Sequence, residues 1–411
     1  MAEGNIDQPK VELRPSQQQE TSKDNGFNTA TVLTLGAAHL GHDTYTAFLA
    51  PLLPLLIEKL SIPLAAAGIL ASIFRAGSLM QPLIGAWADR TDTKFFVICT
   101  PTVTAICMSC LGLAPSYLAL VVLLALAGLS HASFHPASAA TVTRMSGRTW
   151  GKGTSIYMTG GKLGFTLGPL FIASLVTWLG LEMSCVAAIP GVFVSLLLYW
   201  RLRNTETRQP SKTAKPSIWK EMMAQRRSLL LLSGFVFFRS TAMISFSTFY
   251  PTFLTNEGMT ILFAGFAMTV YQLGGAMGAL GGGILSDMKG RKTTLVVSQL
   301  LSGPLLYFAL QSPESTGGLA VLAMGGAMIS SATPVQLALF QELMPNNRST
   351  ASGIWSLLSF EGSLATVIVV GFLADWLGLG PALGISVLAS MLSIPFILGV
   401  PETRKTQAAD R

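Results

Sequence analysis

Two short stretches that repeat one pattern of glycine, aspartate and basic residues decide the fold. Residues 85–94 read GAWADRTDTK, and residues 283–292 read GILSDMKGRK. The opening glycine and the aspartate of the first stretch stand 198 residues before those of the second. Each stretch separates two apolar runs, so both mark a loop at the same place in two related parts of the chain.

Two further features recur at the same offset. Pro136 corresponds to Pro334, and the sequence WLGL occurs at both 178–181 and 376–379. Three separate matches at one spacing predict two halves of six helices each. Parallel repeats of this kind, with a binding site between the halves near the middle of the membrane, are typical of rocking transporters.

The composition indicates a membrane protein. Of the 411 residues, 50% are hydrophobic and 11% are charged, and the mean hydropathy is +0.54. Soluble domains carry about 25% charged residues, so a water-soluble multidomain protein is excluded. Apolar runs of about 20 residues recur, each long enough to cross a bilayer. The net charge of +7 therefore needs no nucleic acid to explain it.

The breaks between apolar runs predict an all-helical protein with twelve transmembrane spans. They lie at 28–56, 64–86, 95–113, 116–140, 153–178, 183–201, 228–252, 260–284, 293–311, 317–340, 350–377 and 381–400. The predicted organisation has five parts. These are a disordered tail (1–26) without a cleaved signal, an N-terminal bundle (27–201), a basic linker (202–227), a C-terminal bundle (228–400) and a second tail (401–411).

The basic residues predict the orientation. We number each loop after the span that precedes it, so loop 2 joins spans 2 and 3. Of the 27 Lys and Arg residues, 23 fall in the tails and in the even-numbered loops, and Lys59 alone falls in an odd-numbered loop. Cytoplasmic loops carry the excess of Lys and Arg. We therefore expect a multi-pass protein of the plasma (inner) membrane, with both termini in the cytoplasm.

The two opening stretches resemble the signature loop of the major facilitator superfamily, and the resemblance covers the whole chain. It implies twelve spans in two pseudo-symmetric six-helix bundles, and a cytoplasmic latch between them. The residues that match the latch are Gly85, Asp89, Arg90, Gly283, Asp287, Gly290, Arg291 and Lys292.

Span 5 carries Gly160, Gly164, Gly168 and Pro169 in the pattern G-x-x-x-G-x-x-x-G-P. This resembles the glycine-proline motif of the superfamily's drug/proton antiporters. Glycines four residues apart make a smooth face that admits a neighbouring helix closely. Ordinary helix packing is the alternative interpretation.

Three short motifs are similar to those of the fosmidomycin-resistance group of facilitators. They are AHLGHD at 38–43, HASFHP at 131–136 and QELMP at 341–345. This resemblance implies efflux of antibiotics and other small organic compounds, without indicating a particular substrate.

Four charged residues share one layer inside the predicted membrane. Arg75, Lys162, Arg239 and Glu361 lie roughly 14–16 Å from the cytoplasmic ends of their spans, at about 1.5 Å per residue.

The resemblance implies that spans 1, 4, 7 and 10 line the cavity and that span 2 packs on span 11. We therefore predict an Arg75–Glu361 pair between the halves, Arg239 facing the cavity, and Lys162 near Gln272. A static pair is the alternative. The excess of positive charge favours an anionic or zwitterionic substrate.

Five further titratable residues lie on spans 1 and 4: His39, His42, Asp43, His131 and His135. We predict Asp43 as the first proton carrier and His135 as the second. Asp43 neutralising the positive layer, and histidines bonding oxygens in a packed bundle, are the alternatives. His131 and His135 have an i, i+4 spacing that some metal sites use. Because no acidic residue or cysteine lies near them in sequence, no metal site is predicted.

These observations predict a secondary transporter. The phosphate-binding motif G-x-x-x-x-G-K-[ST] does not occur, so a gradient must drive transport. We predict proton-coupled export of small organic compounds or drugs, with Phe134, Tyr157 and Tyr271 along the apolar side of the substrate. Proton-coupled uptake of an organic acid is the alternative, and a non-transporting receptor or enzyme is a remote one. The expected partners are the substrate, protons and lipid, with no cofactor and a monomeric chain.

Overall fold

The computed structural model describes residues 27–81, 83–84, 94–204 and 218–402, with the backbone alone at 148, 150, 218, 220, 346, 348–349 and 360–363. Every regular element in these ranges is helical. Ten helical segments are long and apolar enough to cross a membrane, and we call them spans 3 to 12. They are Lys94–Leu113, Tyr117–Met145, Gly151–Leu179, Glu182–Leu202, Arg226–Asn256, Ile261–Lys289, Arg291–Gln311, Thr316–Leu343, Thr350–Leu377 and Leu379–Leu398.

Shorter helices form spans 1 and 2, which completes the predicted twelve. Span 1 consists of Thr29–Thr46 and Leu49–Leu60, and span 2 consists of Leu64–Ala76 with a 3-10 turn at Gly77–Met80. A short helix, Ile218–Ala224, precedes span 7. Several spans begin or end a few residues beyond the predicted boundaries, because the helices continue past the apolar core.

Span 1 breaks at Ala47 and Phe48. Pro51 has no N–H to donate to the carbonyl of Ala47, so the regular i to i−4 bonding cannot continue there. Phe48 N instead donates to Tyr45 O at 3.0 Å, in a tighter turn. The break separates the helix Thr29–Thr46, which carries His39 and His42, from the more apolar helix Leu49–Leu60.

The offset of 198 residues recurs in the backbone. The helix of span 5 runs Trp150–Leu179 and that of span 11 runs Arg348–Leu377, so both begin and end at corresponding positions. Gly180 and Gly378 end them with the same φ of +87°, a conformation that glycine adopts at little cost. The two halves therefore share local geometry as well as sequence.

The halves meet along spans 2 and 11. Asp375 of span 11 accepts hydrogen bonds from Leu64 N at 2.7 Å and Ala65 N at 2.9 Å. Pro63 provides no side-chain cap for this helix, so the first turn of span 2 is capped by the other half. Deeper in the bundle, Ser72 donates to Leu364 O at 3.1 Å. The Asp375 contacts lie on the side of the odd-numbered loops, which we call the odd-loop face. The opposite side is the even-loop face.

Candidate functional site

Spans 1 and 4 bring together the five titratable residues predicted from sequence. His39 Nε2 lies 3.1 Å from Asp43 Oδ2, and His135 Nε2 lies 3.5 Å from Asp43 Oδ1. His135 Nε2 also lies 3.2 Å from His131 Nδ1. His42 is fully buried beside them. We call these five residues the titratable cluster.

The contacts of His39 place it to share a proton with Asp43. His39 Nδ1 lies 2.8 Å from the carbonyl oxygen of Tyr157, which only accepts hydrogen bonds, so a proton on Nδ1 satisfies this contact. His39 Nε2 lies 3.1 Å from Asp43 Oδ2, a distance at which one proton between the two atoms forms a hydrogen bond.

The glycine face of span 5 holds the cluster in place. A Cβ on Gly160, Gly164 or Gly168 would overlap carbonyl oxygens of span 1, and one on Gly161 would overlap the His39 ring. This close approach places Tyr157 in stacking contact with His39, at a ring separation of 4.0 Å. The motif therefore positions the His39–Asp43 pair and also the residues of span 5 that follow Gly161.

Aromatic packing encloses the other histidines. Phe134 stacks on His42 with ring centroids 4.2 Å apart. Neither nitrogen of His42 has a hydrogen-bond partner in the described part of the chain. We predicted that Phe134, Tyr157 and Tyr271 line the substrate site, and this prediction is corrected for the first two. Phe134 and Tyr157 pack against histidines and lie in the wall of neither central cavity described below, whereas Tyr271 lies in the wall of one.

A cavity of about 350 Å³ opens beside the cluster, between the two halves. We call it the wider cavity. Its wall includes His39, Asp43, His135, Lys162, Tyr271 and Gln272. Lys162 and Gln272 thus border one space, from opposite halves. Lys162 has no hydrogen-bond or ion-pair partner in the described ranges, and Asp43 and Arg239 are close enough to act on its charge.

A second cavity of about 180 Å³ adjoins the first on the side of the odd-loop face. We call it the narrower cavity, and Pro169 lies in its wall. Arg75 borders both cavities and donates from Nη2 to Thr248 Oγ1 of span 7 at 3.2 Å. Arg75 therefore bridges the halves through a hydroxyl group. The predicted partner Glu361 lies outside the described side chains, so that pair stays a prediction.

The structure places Arg239 differently from the prediction. Its side chain is 3% exposed. Nε donates to Ile329 O at 3.1 Å and Nη2 donates to Thr333 Oγ1 at 2.9 Å, with a further contact from Nη2 to Ile329 O. The guanidinium is committed to span 10 within its own half and does not face the two cavities. Counting residues along the helix predicts how deep Arg239 lies, but it does not predict which way the side chain points.

The second copy of the predicted latch forms a network at the even-loop face. Arg291 pairs with Asp287 at 2.6 Å and with Glu342 at 3.0 Å. The Glu402 carboxylate accepts from Arg291 N at 2.9 Å and Lys292 N at 3.0 Å. It thereby caps span 9, which begins after Gly290, where φ is +102°. Gly283 lies within span 8.

All of these contacts lie within the C-terminal half. The first copy of the latch, Gly85, Asp89 and Arg90, lies outside the described residues. The role of the two copies as a latch between the halves therefore stays a prediction.

One group in the described ranges has donor atoms close enough together to hold a metal ion. It consists of His42, Asp43, His131 and His135, whose ligand atoms lie within 4.8 Å of one another. The reason given above for predicting no metal site is wrong, because the fold brings Asp43 to His135. Asp43, His131 and His135 are already joined by contacts with His135, which explains why these three groups lie close together. We therefore assign no metal ligands.

Sequence reasoning missed the side chains that join the halves, among them Asp375 and Thr248. Asp375 was not singled out, although the other repeat has Thr177 at the corresponding position, and this difference was the available signal. Thr248 had no signal, since a single threonine in an apolar span does not indicate its partner. His39 and Asp43 were recognised, and their i, i+4 spacing indicates a direct contact.

Comparisons with known proteins agree with this architecture. The family model of the Major Facilitator Superfamily matches residues 35–267 and 232–411. The MFS-type transporter YfnC of Bacillus subtilis (strain 168) is 26% identical over 90% of this chain and 91% of its own length. The fosmidomycin resistance protein of Escherichia coli (strain K12) is 27% identical over 83% of this chain and 85% of its own.

A solved structure shares the fold. It is the bacterial homolog to the human lysosomal transporter Spinster, in an inward-facing and unoccupied conformation. The TM-score is 0.76 at 16% identity, over 95% of this chain and 99% of that chain. The family match and the shared architecture lead to one conclusion: this chain is a multi-pass membrane transporter that belongs to the Major Facilitator Superfamily and resembles its fosmidomycin-resistance group.

Proposed function

We propose that this protein is a proton-coupled exporter of small organic compounds that carry an acidic group together with a cationic one, that is, of zwitterions. The observation that supports the proposal is the His39–Asp43 contact, whose geometry suits a shared proton. This contact borders the same cavity as Lys162, whose ammonium group has no partner in the described ranges. A proton site and an anion site therefore lie within one space between the halves, as coupling requires.

Transport would proceed by alternating access. The Asp375 cap joins the halves at the odd-loop face, and rocking would break this contact as the cavity opens there. We assign the even-loop face to the cytoplasm because it carries most of the basic residues. Both termini then lie in the cytoplasm of a cell whose plasma (inner) membrane holds the protein, and we propose a monomer.

Asp43 is the first proton carrier in this proposal and His135 is the second. Loss of the shared proton would leave a lone pair on His39 Nε2 facing a carboxylate, so the contact would break. The charged and titratable groups that face Asp43 are His39 and His42 on its own span, His131 and His135 on span 4, Tyr157 and Lys162 on span 5, Arg75 on span 2 and Tyr271 on span 8.

Export requires the substrate and the proton to compete. A zwitterion meets this condition, because its ammonium group can take the place of the shared proton beside Asp43 while its acidic group binds Lys162. The printed name of the Escherichia coli relative, a resistance protein, also supports export.

Uptake by proton symport is the second candidate, and the charge of the wider cavity favours it for purely anionic substrates. With the shared proton present, the His39–Asp43 pair is neutral and the cations Lys162 and Arg75 dominate. An anion then binds more tightly to the protonated protein, and by linkage the anion promotes proton binding. Ligands that bind together move in the same direction.

Proton counting on the purified protein tests both candidates. Zwitterionic and purely anionic compounds, with fosmidomycin among the probes, would be added in weak buffer while the pH is recorded. We expect a zwitterion to release about one proton per site, and a pure anion to take one up where deprotonated protein is present. Both signals should vanish in Asp43→Asn and persist in Glu314→Gln, which lies in the loop between spans 9 and 10. Binding without proton exchange in the wild type would overturn the coupling.

A further inference from the structure

The two central cavities adjoin and lie at different depths. They share Arg75, Phe165, Ser247 and Gln272 in their walls. Thr46, Ala47, Leu49 and Ala50 of span 1 line the narrower cavity, whereas His39 and Asp43 line the wider one. One elongated ligand can therefore occupy both spaces, with its two ends in different surroundings.

The narrower cavity offers few unused polar groups. Three of its four hydroxyl groups are already bonded to the protein. Thr46 donates to a carbonyl oxygen of its own span at 2.9 Å, Ser247 does so at 3.0 Å, and Thr248 accepts from Arg75. A ligand group that packs against these three hydroxyl groups gains little by being polar, since they already have partners.

Apolar side chains form much of this wall, among them Leu49, Ala50, Phe74, Pro169 and Met268. The polar side chains of Arg75, His131 and Gln272 line the rest of it beside the hydroxyl groups. The volume of the cavity is about 180 Å³. An apolar protein cavity of about 150 Å³ is large enough to bind benzene. The narrower cavity therefore has the size and the surface for one apolar group as large as a phenyl ring.

The wider cavity has the opposite character. Lys162 presents an ammonium group with no partner in the described ranges, and the buried hydroxyl of Tyr271 has none either. These donors suit the acceptor oxygens of a carboxylate or phosphonate. A buried donor without a partner is costly, which favours a ligand that supplies one.

We propose that the transported compound is an amphipathic acid whose acidic group binds in the wider cavity and whose phenyl-sized apolar group fills the narrower one. Phe165 and Gln272 lie at the junction and determine which lengths of ligand fit. This inference rests on the proposed function for the acidic end, and it adds the apolar end, its size and the side chains that select it.

Binding of matched probes to the purified protein tests the inference. The probes are methylphosphonate, benzylphosphonate and neutral benzyl alcohol, with dissociation constants measured by calorimetry. Burial of a phenyl group should make benzylphosphonate bind about tenfold to a hundredfold more tightly than methylphosphonate. Benzyl alcohol should bind more weakly than benzylphosphonate, since it lacks the acidic group.

Variants separate the two ends of the ligand. Ala50→Leu fills part of the narrower cavity and should remove most of the advantage of benzylphosphonate while leaving methylphosphonate unchanged. Ala71→Leu, on span 2, repeats this test if Ala50→Leu does not fold. Ala139→Leu, at an exposed position of span 4, is the matched control and should change neither affinity. Lys162→Gln should weaken both phosphonates.

The outcomes distinguish this inference from the proposed function. Equal affinity for the two phosphonates, or an unchanged preference in both cavity-filling variants, would overturn the amphipathic assignment while the anion site at Lys162 stands. If Lys162→Gln leaves both phosphonates unaffected, or if neither phosphonate binds the wild type, the anion site and this inference fall together. Benzyl alcohol binding as tightly as benzylphosphonate would also contradict the paired arrangement.

Discussion

Spans 1 and 4 of the N-terminal half correspond, at the offset of 198 residues, to spans 7 and 10 of the C-terminal half. Asp43, His131 and His135 therefore have Thr241, Ile329 and Thr333 as their equivalents. In the N-terminal half these positions form the titratable cluster. In the C-terminal half Arg239 donates to Ile329 O and Thr333 instead.

Under the proposed function, this difference separates a centre that exchanges protons from one that does not. We propose that the contact of His39 with Asp43 holds a shared proton. The guanidinium of Arg239 stays charged at physiological pH, and its partners are a carbonyl and a hydroxyl, which do not titrate there. In this proposal, one scaffold used twice provides a half that takes up and releases protons and a half whose polar contacts stay the same.

The first prediction concerns the non-titrating half. Arg239→Ala should lower the free energy of unfolding by about 2–3 kcal/mol, because buried hydrogen bonds from a charged donor are lost. Arg239→Lys should recover part of this loss, as it keeps the charge but not the fork of donors. Thermal unfolding in detergent measures both. Transport per folded molecule should persist in Arg239→Ala. Loss of transport in the folded variant would contradict this and would indicate that Arg239 belongs to the substrate site.

The second prediction concerns the bridge between the halves. Arg75→Glu should reduce transport about tenfold or more, since it reverses a cavity charge, a change worth about 1.4 kcal/mol or more. If Arg75 and Glu361 pair during the cycle, the double variant Arg75→Glu/Glu361→Arg should recover what each single change loses. Flux assays on equal amounts of reconstituted protein decide this. Absence of any rescue would remove the predicted pair and leave Thr248 as the partner of Arg75.

The third prediction uses a position where the repeats differ. Asp375→Ala removes the cap of span 2, worth about 1 kcal/mol, and should open the odd-loop face about fivefold more often. Asp375→Asn should keep most of the cap. Spin labels at Glu58 and Trp376, in a cysteine-free background, would report the opening as a longer distance.

Thr177, the equivalent of Asp375, donates to Ala173 O of its own helix at 2.7 Å, and within the described ranges its hydroxyl makes no contact with the other half. Thr177→Ala is therefore the matched control and should leave the distance distribution unchanged. A similar shift in Thr177→Ala and Asp375→Ala would mean that the cap does not hold the halves together.

The smallest effect is expected at Thr248. Thr248→Val removes one hydrogen bond from Arg75 and should cost about 0.5–1 kcal/mol of contact between the halves. The neighbouring Ser247→Ala is the control, because Ser247 bonds within its own span. The same spin-label pair should show a small shift for Thr248→Val. A shift larger than that of Asp375→Ala would reverse the ranking of the two contacts.

The sequence predicted the fold more fully than the site. Apolar runs and the offset of 198 residues indicate the spans and the halves, since both depend on composition and spacing along the chain. The cluster needed one further fact, that spans 1 and 4 are neighbours at the depth of Asp43 and His135, which depends on packing. Arg239 shows the same limit, because its depth could be counted in residues but its partner on span 10 could not.

The most direct test of the comparison substitutes equivalent positions in the two halves. Wild type, Asp43→Asn and Thr241→Val would be reconstituted in liposomes under an imposed pH gradient, and lumenal pH would be recorded as a transported compound is added. Thr241 bonds to Phe238 O at 2.7 Å and Ser386 O at 3.0 Å, within its own half. We expect substrate-evoked proton movement to vanish in Asp43→Asn and to persist in Thr241→Val. Proton movement that survives in Asp43→Asn would contradict the assignment of proton coupling to the N-terminal half.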